Sequence, residues 1–466
     1  MSLTRSIALG MCTGLLLCAS HGFFAALSWL APIPLLWVLM QSDAKTAFYT
    51  GLACGIFESL ILFGLSHAGI EVYVTIALMY GLSRALFALS FVALRRGDYL
   101  RLLAPVLWVQ FEWAQAQLPL TLPNLIGDTL HGAELFGVVR LGGTYLLGAL
   151  VVWAAAIAVR FLQQGGWSNM INQALFYLWL CTLCVCQLVG TAFTPQAKST
   201  LEVALVQGGI PTWLYARGEQ VPAWRSISEK IYTELTLKAK PAALTIWPET
   251  AVDETYTPGN DFALRLKALA QTKGALLLGS RRADAGATLY NSAILLSAGS
   301  EQIVDKKRLA LGAEGHFAIG EAPGILEFQN HKLGVVFCLE SVLPKYASDL
   351  VNRHQADLLV VLADGSRFGN TLVGRMHAQR STLRAVEAGR SLMHVGQHGL
   401  THVVSAEGDR SKLLPTFVGG VLNQSVKIYE GATPFHRLRH LMGYGLALML
   451  ALSLFLTFFR KNQSAA

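Results

Sequence analysis

The sequence predicts a two-part protein, in which a polytopic α-helical membrane domain of about eight spans precedes an α/β domain. Hydrophobic residues make up 53% of the 466 residues and charged residues only 14%, whereas soluble domains average about a quarter charged. The charges are also uneven, because residues 1–195 hold 8 of the 37 Lys and Arg and 7 of the 29 Asp and Glu. This composition excludes an ordinary cytosolic enzyme and a disordered chain.

Eight apolar stretches account for the membrane domain. Seven approach the roughly 20 residues that cross a bilayer, and a shorter one precedes them. The predicted domains are a membrane domain at 1–195 with seven spans, a soluble domain at 196–435, and a closing helix with its tail at 436–466. The stretches are Ser6–Ala19, Phe23–Met40, Ala47–Leu65, Val72–Leu94, Leu102–Leu118, Leu141–Val159, Ala174–Phe193 and Leu441–Phe459.

Basic residues in the short loops predict the orientation of these spans. With the N-terminus inside, Arg5, Lys45, Arg95, Arg160 and Lys461 all lie on the cytoplasmic side. Seven spans then place residues 195–438 outside the cytoplasm. We therefore expect the soluble domain to be extracytoplasmic.

Three ionisable residues, Glu58, Arg84 and Glu112, lie within predicted spans. Charged groups are costly in a bilayer, so these side chains are expected to face a protein interior or a polar cavity. A structural ion pair between Glu58 and Arg84 and a ligand-binding role both remain open. The membrane domain has no internal repeat of the kind that transporters carry, which argues against transport.

Charge and cysteine patterns exclude two further classes. The net charge of +8 does not indicate nucleic-acid binding, because the soluble half has mixed signs and no basic stripe with interleaved aromatic residues. Cys181, Cys184 and Cys186 have metal-like spacing but lie in an apolar run without His or carboxylates, so we interpret them as small hydrophobic residues. Cys338 alone lies in the soluble half, which excludes a disulfide framework there.

The soluble half alternates short apolar runs with amphipathic stretches, a pattern typical of an α/β layered domain. The runs that predict strands are Val203–Gln207, Leu244–Trp247, Ala275–Gly279, Ser292–Leu296, Lys332–Cys338 and Asp357–Leu362. The stretches that predict helices are Val221–Lys238, Asp261–Lys273, Val342–Arg353 and Thr371–Ala388.

Three candidate reactive residues, Glu249, Lys306 and Cys338, come at or just after strand ends, where open α/β sheets usually place their chemistry. A cysteine with a pKa near 8.5 needs a base to react as a thiolate at neutral pH, and Glu249 is a candidate base if burial raises its pKa. Lys306 and the backbone N–H of Leu339 are candidates to stabilise an oxyanion. Taken singly, each residue also fits a structural role. Glu249 fits a turn cap, Lys306 fits a solvated basic cluster, and Cys338 fits a core cysteine.

This ordered set resembles the Glu-Lys-Cys triad of the nitrilase (carbon–nitrogen hydrolase) superfamily. The motifs that carry the resemblance are Trp247-Pro248-Glu249, the Lys306 that follows a strand, and Cys338-Leu339-Glu340. Glu314 and Glu340 match glutamates that the family uses around its site, and Tyr290-Asn291-Ser292 is similar too. Together with the spans, the chain resembles the membrane branch of this superfamily, the apolipoprotein N-acyltransferases.

The resemblance implies an α-β-β-α sandwich and a two-step acyl transfer. A phospholipid donates a fatty acyl chain to Cys338, and the α-amine of a diacylglyceryl-cysteine at a lipoprotein N-terminus accepts it. Such an enzyme lies in the bacterial inner membrane as a multi-pass protein, with its catalytic domain on the periplasmic side. It needs no metal and no organic cofactor.

Several positions depart from the family pattern on the acceptor side. The family has an aromatic residue where this chain has Leu339, and its N-D-G-W and A-T-N-x-G stretches read Ala363-Asp364-Gly365-Ser366 and Val395-Gly396-Gln397-His398-Gly399. Two alternatives therefore stay open. One is a membrane-tethered amidase, or an acyltransferase with another acceptor, and the other is a non-enzymatic membrane scaffold with a decayed nitrilase domain.

Overall fold

The computed structural model describes residues 1–94, 100–118, 122, 124–210, 222–310, 314–365 and 371–437, with positions 439, 444, 447, 448 and 451 beyond them. The chain divides into two compact units. One is formed by Met1–Phe193 with Arg437–Ala466, and the other by Thr194–His436.

The described part of the first unit is helical. Five of its stretches are long and apolar enough to cross a membrane: Leu3–Gly22, Ala44–His67, Ile70–Leu94, Phe136–Gln163 and Met170–Thr191. The prediction of several apolar helices is therefore confirmed, although not the number of spans. The helices are α1 (Leu3–Gly22), α2 (Ile33–Leu39), α3 (Ala44–Glu58), α4 (Ile70–Leu94), α5 (Leu100–Gln117), α6 (Phe136–Gln163) and α7 (Met170–Thr191).

The second predicted span is not one continuous helix. The stretch Phe23–Met40 contains a 3-10 helix at Ala25–Trp29 and then the short helix α2. Pro32 immediately precedes α2 and Pro34 lies in its first turn, positions where proline starts a helix and cannot continue one from upstream. The last predicted span, Leu441–Phe459, lies almost entirely outside the described residues.

Glycines bring three of the helices close together. At Gly10 and Gly14 of α1, an added Cβ would meet the backbone of α3, and at Gly51 and Gly55 of α3 it would meet the backbone of α4. Small residues four apart allow membrane helices to approach in this way. These contacts place α3 between α1 and α4.

The three intramembrane charges form one buried cluster. The Arg84 guanidinium donates from Nε to Glu58 Oε2 at 2.7 Å and from Nη2 to Glu58 Oε1 at 2.8 Å. Glu112 Oε1 lies 3.6 Å from Arg84 Nη2 and accepts from Trp108 Nε1 and Ile126 N. Arg84 also lies over the Trp108 ring, 3.9 Å from its centroid. The structure therefore contains the ion pair that the sequence left open, extended by Glu112.

Glu58→Gln should destabilise the membrane unit, because it removes one charge from a buried bidentate pair. Breaking such a pair costs on the order of 3 kcal/mol, so the thermal unfolding midpoint in detergent should fall by several degrees. Glu71→Gln, which changes an exposed glutamate at the start of α4, is the matched control. Equal midpoints for the two variants would contradict this account of the cluster.

The second unit contains two β-sheets. The first has the strand order β12-β1-β2-β4-β5-β6, with β3 beside β4, and the second has the order β11-β10-β9-β8-β7. The strands are β1 (Gln196–Gln207), β2 (Leu244–Ile246), β3 (Thr255–Tyr256), β4 (Ala275–Ala283), β5 (Leu289–Ser297), β6 (Ser300–Asp305), β7 (Ile325–Phe328), β8 (His331–Phe337), β9 (Leu358–Ala363), β10 (Leu392–Gly396), β11 (His402–Val404) and β12 (Gly420–Glu430). The helices are α8 (Pro222–Lys238), α9 (Asp261–Lys273), α10 (Cys338–Ser341), α11 (Pro344–His354) and α12 (Leu372–Ala388).

The two sheets pack face to face, and helices cover their outer faces. Because side chains alternate along a strand, Val335 and Phe337 of β8 enter the core between the sheets, while Val336 packs with α11 and α12. On the other side, α8 and α9 pack against the first sheet through residues such as Tyr232 and Phe262. The result is the four-layered α-β-β-α sandwich, and the long helical predictions agree with it within a few residues.

Candidate active site

The candidate reactive residues meet at one edge of the sandwich, because each follows a strand. Glu249 comes after β2, Lys306 after β6, Cys338 after β8 and Asp364 after β9. Sequence separations of up to 115 residues thus become direct contacts, such as the bond from Asp364 N to Glu249 Oε2 at 3.1 Å.

Close packing against β4 fixes the backbone of Glu249. Gly279 N donates to Pro248 O and Ala251 N donates to Gly279 O, so the segment after β2 runs along β4. An added Cβ at Gly279 would collide with the Glu249 backbone. Thr250 has a positive φ of 43°, an unfavourable conformation for a β-branched residue and one that clusters at functional sites.

Lys306 lies between two carboxylates. Its Nζ contacts Glu249 Oε1 at 2.8 Å and Glu314 Oε2 at 2.8 Å, and the lysine side chain is 2% exposed. Asn291 Nδ2 donates to the same two carboxylates, at 2.8 Å to Glu249 and 2.7 Å to Glu314. Glu314, which the sequence suggested as a supporting residue, is therefore in direct contact with Lys306.

The electrostatics of this cluster favour a Glu249 carboxyl group that ionises near neutral pH. Burial raises the pKa of Glu249 to about 7, assisted by the negative charge of Glu314 and opposed by Lys306. The two carboxylates outweigh burial at Lys306 and raise its pKa, so the ammonium stays charged. Glu249 is thus a carboxylate whose basicity matches neutral pH, and Lys306 is a fixed cation.

Cys338 begins the short helix α10 directly after β8, which ends at Phe337, one residue earlier than the strand Lys332–Cys338 predicted from sequence. The thiol is half-buried, and its Sγ lies 3.9 Å from Asp364 O. Burial and the charge of Glu249 raise the pKa of Cys338 well above its ordinary value, against the opposing effect of Lys306. The resting group is therefore a thiol, which requires a base before it can attack.

Glu340 ties the nucleophile turn to the lysine segment. Its Oε1 accepts from Lys307 N at 2.8 Å and Arg308 N at 2.9 Å, and its Oε2 accepts from Phe337 N at 3.0 Å. Burial raises the pKa of Glu340, and these backbone N–H groups partly oppose that effect. Glu340 thus acts on the site through the backbone rather than from within it.

Glu340→Ala should disconnect these two segments, because it leaves three backbone N–H groups without an acceptor. Each such group costs about 1–3 kcal/mol, so the unfolding midpoint should fall markedly. Glu321→Ala, at an exposed position, is the control. Calorimetry that gave both variants the same midpoint would refute the tethering role.

Two groups beside Cys338 were not predicted from the sequence. The Asp364 backbone contacts both Glu249 and Cys338. His377 of α12 places Nε2 2.5 Å from Cys338 O and 3.0 Å from Ser341 Oγ. The signal for Asp364 was its position at the end of a parallel strand, whereas His377 had no sequence signal. Among the described residues, no three His, Cys, Asp or Glu side chains form a group that could hold a metal.

A four-layered α/β sandwich with Glu, Lys and Cys at its strand ends defines a carbon–nitrogen hydrolase, and the Carbon-nitrogen hydrolase family model matches residues 202–426. A second model, the Apolipoprotein N-acyltransferase N-terminal domain, matches residues 13–157. The two matches together extend over both units of the chain. The chain belongs to the apolipoprotein N-acyltransferase family.

Two apolipoprotein N-acyltransferases from other organisms agree with this membership. The apolipoprotein N-acyltransferase of Geobacter metallireducens is 25% identical over 514 aligned positions, which cover 98% of this chain and 96% of the relative. That of Azotobacter vinelandii is 28% identical over 371 positions, covering 74% and 70%. Among solved structures, a CN-hydrolase superfamily protein from Xanthomonas campestris is 17% identical with a TM-score of 0.39, covering 49% of this chain and 91% of that one.

Proposed function

We propose that this protein transfers a fatty acyl chain from a membrane phospholipid, through a thioester on Cys338, to the α-amine of a lipoprotein's N-terminal diacylglyceryl-cysteine. The observation that carries the proposal is the buried cluster of Glu249, Lys306 and Glu314 beside Cys338. The membership of both units in the acyltransferase family supplies the substrates.

In the first step, Glu249 removes the proton of the Cys338 thiol and the thiolate attacks an ester carbonyl of the phospholipid. A pKa of about 7 suits Glu249 to this role at neutral pH. Lys306 and the Leu339 N–H stabilise the oxyanion of the tetrahedral intermediate. Glu249 then protonates the departing alkoxide, and a lysophospholipid leaves the thioester behind.

In the second step, the acceptor amine attacks the thioester carbonyl. The C–N bond forms and the C–S bond breaks, while a proton passes from the amine to Glu249 and from there to the Cys338 sulfur. The product is an amide, which is more stable than the thioester. Glu314 and Asn291 hold Lys306 and Glu249 in place through both steps.

A membrane setting fits these substrates, because withdrawing an acyl chain into water costs about 0.8 kcal/mol per CH₂. We propose a multi-pass protein of the bacterial inner membrane with about eight spans. The α/β unit lies on the periplasmic side, and the domains divide near residues 195 and 436. The positive-inside distribution of Arg and Lys supports this topology.

Incubation of the purified full-length protein with phospholipid and a synthetic diacylglyceryl-cysteinyl peptide tests the proposal. We expect the peptide to gain the mass of one fatty acyl chain as an amide. Hydrolysis of small amides without any acyl transfer would favour the membrane-tethered amidase instead. The family match over residues 13–157 favours the acyltransferase over that alternative and over a scaffold.

A further inference from the structure

Three strand ends of the second sheet carry polar side chains in one row. Strands β8, β9 and β10 are parallel neighbours, with Phe337 beside Leu362 and Gly396 beside Ala363. The carboxyl ends of parallel strands meet at the same edge of a sheet. Cys338, Asp364 and the pair Gln397-His398 therefore follow one another across this edge. A hydrogen bond from Gln397 N to the O of Ala363, the last residue of β9, at 3.0 Å joins the ends of β9 and β10.

His398 is a buried histidine whose ring is poorly partnered by the part of the chain that the structure describes. The residue is 6% exposed, and neither ring nitrogen makes a hydrogen bond of good geometry among the residues that the structure describes, although the Ile210 backbone lies close enough to act on the ring. Its backbone is fixed independently, because Phe417 N donates to His398 O at 2.7 Å. The Phe417 ring packs edge-on against the imidazole, with centroids 5.6 Å apart. Buried polar atoms normally have hydrogen-bond partners, so a bound ligand is a candidate partner for the His398 ring.

Asp364 connects this position with the reacting groups. Its backbone N donates to Glu249 Oε2, and its backbone O lies near Cys338 Sγ. Its carboxylate oxygen Oδ2 accepts from Thr250 Oγ1 at 3.5 Å. Burial lowers the pKa of His398, while the charge of Asp364 and the backbone of Ile210 oppose that effect. The imidazole is therefore neutral at neutral pH and has a lone pair to offer.

We propose that His398 and Asp364 form the subsite that receives the amine of the second substrate. The inference rests on the proposed function, which it extends to the residues that bind the acceptor. The Asp364 carboxylate attracts the acceptor as an ammonium ion, which releases one proton to solvent to become the attacking amine, and the neutral His398 ring accepts one N–H of that amine. Glu249 takes the proton that the amine loses on attack. Two acceptors, the His398 ring and the Glu249 carboxylate, therefore orient the incoming nitrogen.

A single-turnover experiment tests the subsite. Full-length protein is first acylated with phospholipid, and the loss of the acyl-enzyme mass is then followed after addition of the diacylglyceryl-cysteinyl peptide. We expect His398→Ala to acquire the acyl group and then lose it to the peptide at least about tenfold more slowly than wild type, since one hydrogen bond that orients the amine is missing. His398→Asn should recover part of the rate, because an amide oxygen also accepts an N–H.

Two further variants complete the test. Asp364→Asn keeps the backbone contacts and removes the charge, so it should raise the peptide concentration needed for half-maximal rate. His331→Asn, at the opposite end of β8 from Cys338, is the matched control and should behave as wild type.

Deacylation of His398→Ala and Asp364→Asn by the peptide at the wild-type rate would overturn the subsite while leaving the proposed function intact. Failure of both variants to acquire the acyl group would also overturn it, because the residues would then act in the first step. Absence of any acyl-enzyme in the wild-type protein would overturn the proposed function together with the subsite.

Discussion

Cys338→Ala is expected to reduce acyl transfer to the lipopeptide by at least about 10⁴-fold, because the thioester cannot form without the sulfur nucleophile. The substitution should leave the fold intact, since the thiol is only half-buried and its neighbour is a backbone oxygen 3.9 Å away. The rate of acyl transfer and the unfolding midpoint are measured on the same sample.

Cys184→Ala, an exposed cysteine of α7, controls for the loss of a thiol as such and should retain full activity. Residual acyl transfer by Cys338→Ala within a factor of ten of wild type would contradict a covalent mechanism at this residue. It would then favour direct attack of the amine on the phospholipid.

Glu249→Gln should have the second largest effect, a loss of about 10²–10⁴-fold that depends on pH. Glu249 must be ionised to accept the thiol proton, and its pKa lies at about 7. In the wild-type protein the rate of acyl-enzyme formation should therefore rise about tenfold per pH unit below 7 and level off above it. Glutamine cannot titrate, so the variant should lack this dependence.

The pH profile of acyl-enzyme formation, measured between pH 5.5 and about 8.5, separates this role from a structural one. Glu327→Gln, at an exposed position of β7, should keep both the rate and the profile. A Glu249→Gln variant that is slow yet retains the wild-type profile would show that another group is the base.

The α/β unit was largely predictable from sequence because its strands are short buried runs separated by amphipathic helices. Helix Asp261–Lys273 was predicted with its observed ends, since Asn260 caps the first turn and Gly274 follows the last. Strands β3, β7, β10, β11 and β12 were not predicted. β12, in which only three of the eleven residues are buried, pairs with β1 more than 200 residues away, and only the fold creates that pairing.

The candidate site was also predictable only in part. Glu249, Lys306 and Cys338 were found because each follows a recognisable strand in the order of a known family. The part played by Glu314 required the fold, which brings its carboxylate to the ammonium that also contacts Glu249. His398 stands at the variable position of the A-T-N-x-G stretch, and its burial with poorly partnered ring nitrogens among the described residues is visible only in three dimensions.

The membrane unit was less predictable, because hydropathy gives the length of an apolar stretch and does not show whether the stretch forms one continuous helix. The stretch Phe23–Met40 has the composition of a span, and Pro32 and Pro34 are the sequence signal for the break that divides it. The ion cluster of Glu58, Arg84 and Glu112 was anticipated only as a pair. The third member joins through a contact between separate helices, for which the sequence has no periodic signal.

The central claim is that a fatty acyl chain becomes bound to Cys338, and the intact mass of the purified protein after incubation with phospholipid tests it most directly. We predict an added mass of one acyl chain that neutral hydroxylamine removes, that maps to the peptide containing Cys338, and that Cys338→Ala lacks. An unmodified mass, with Cys338 still reactive toward small electrophiles, would contradict the account and favour an amidase that acts on soluble substrates.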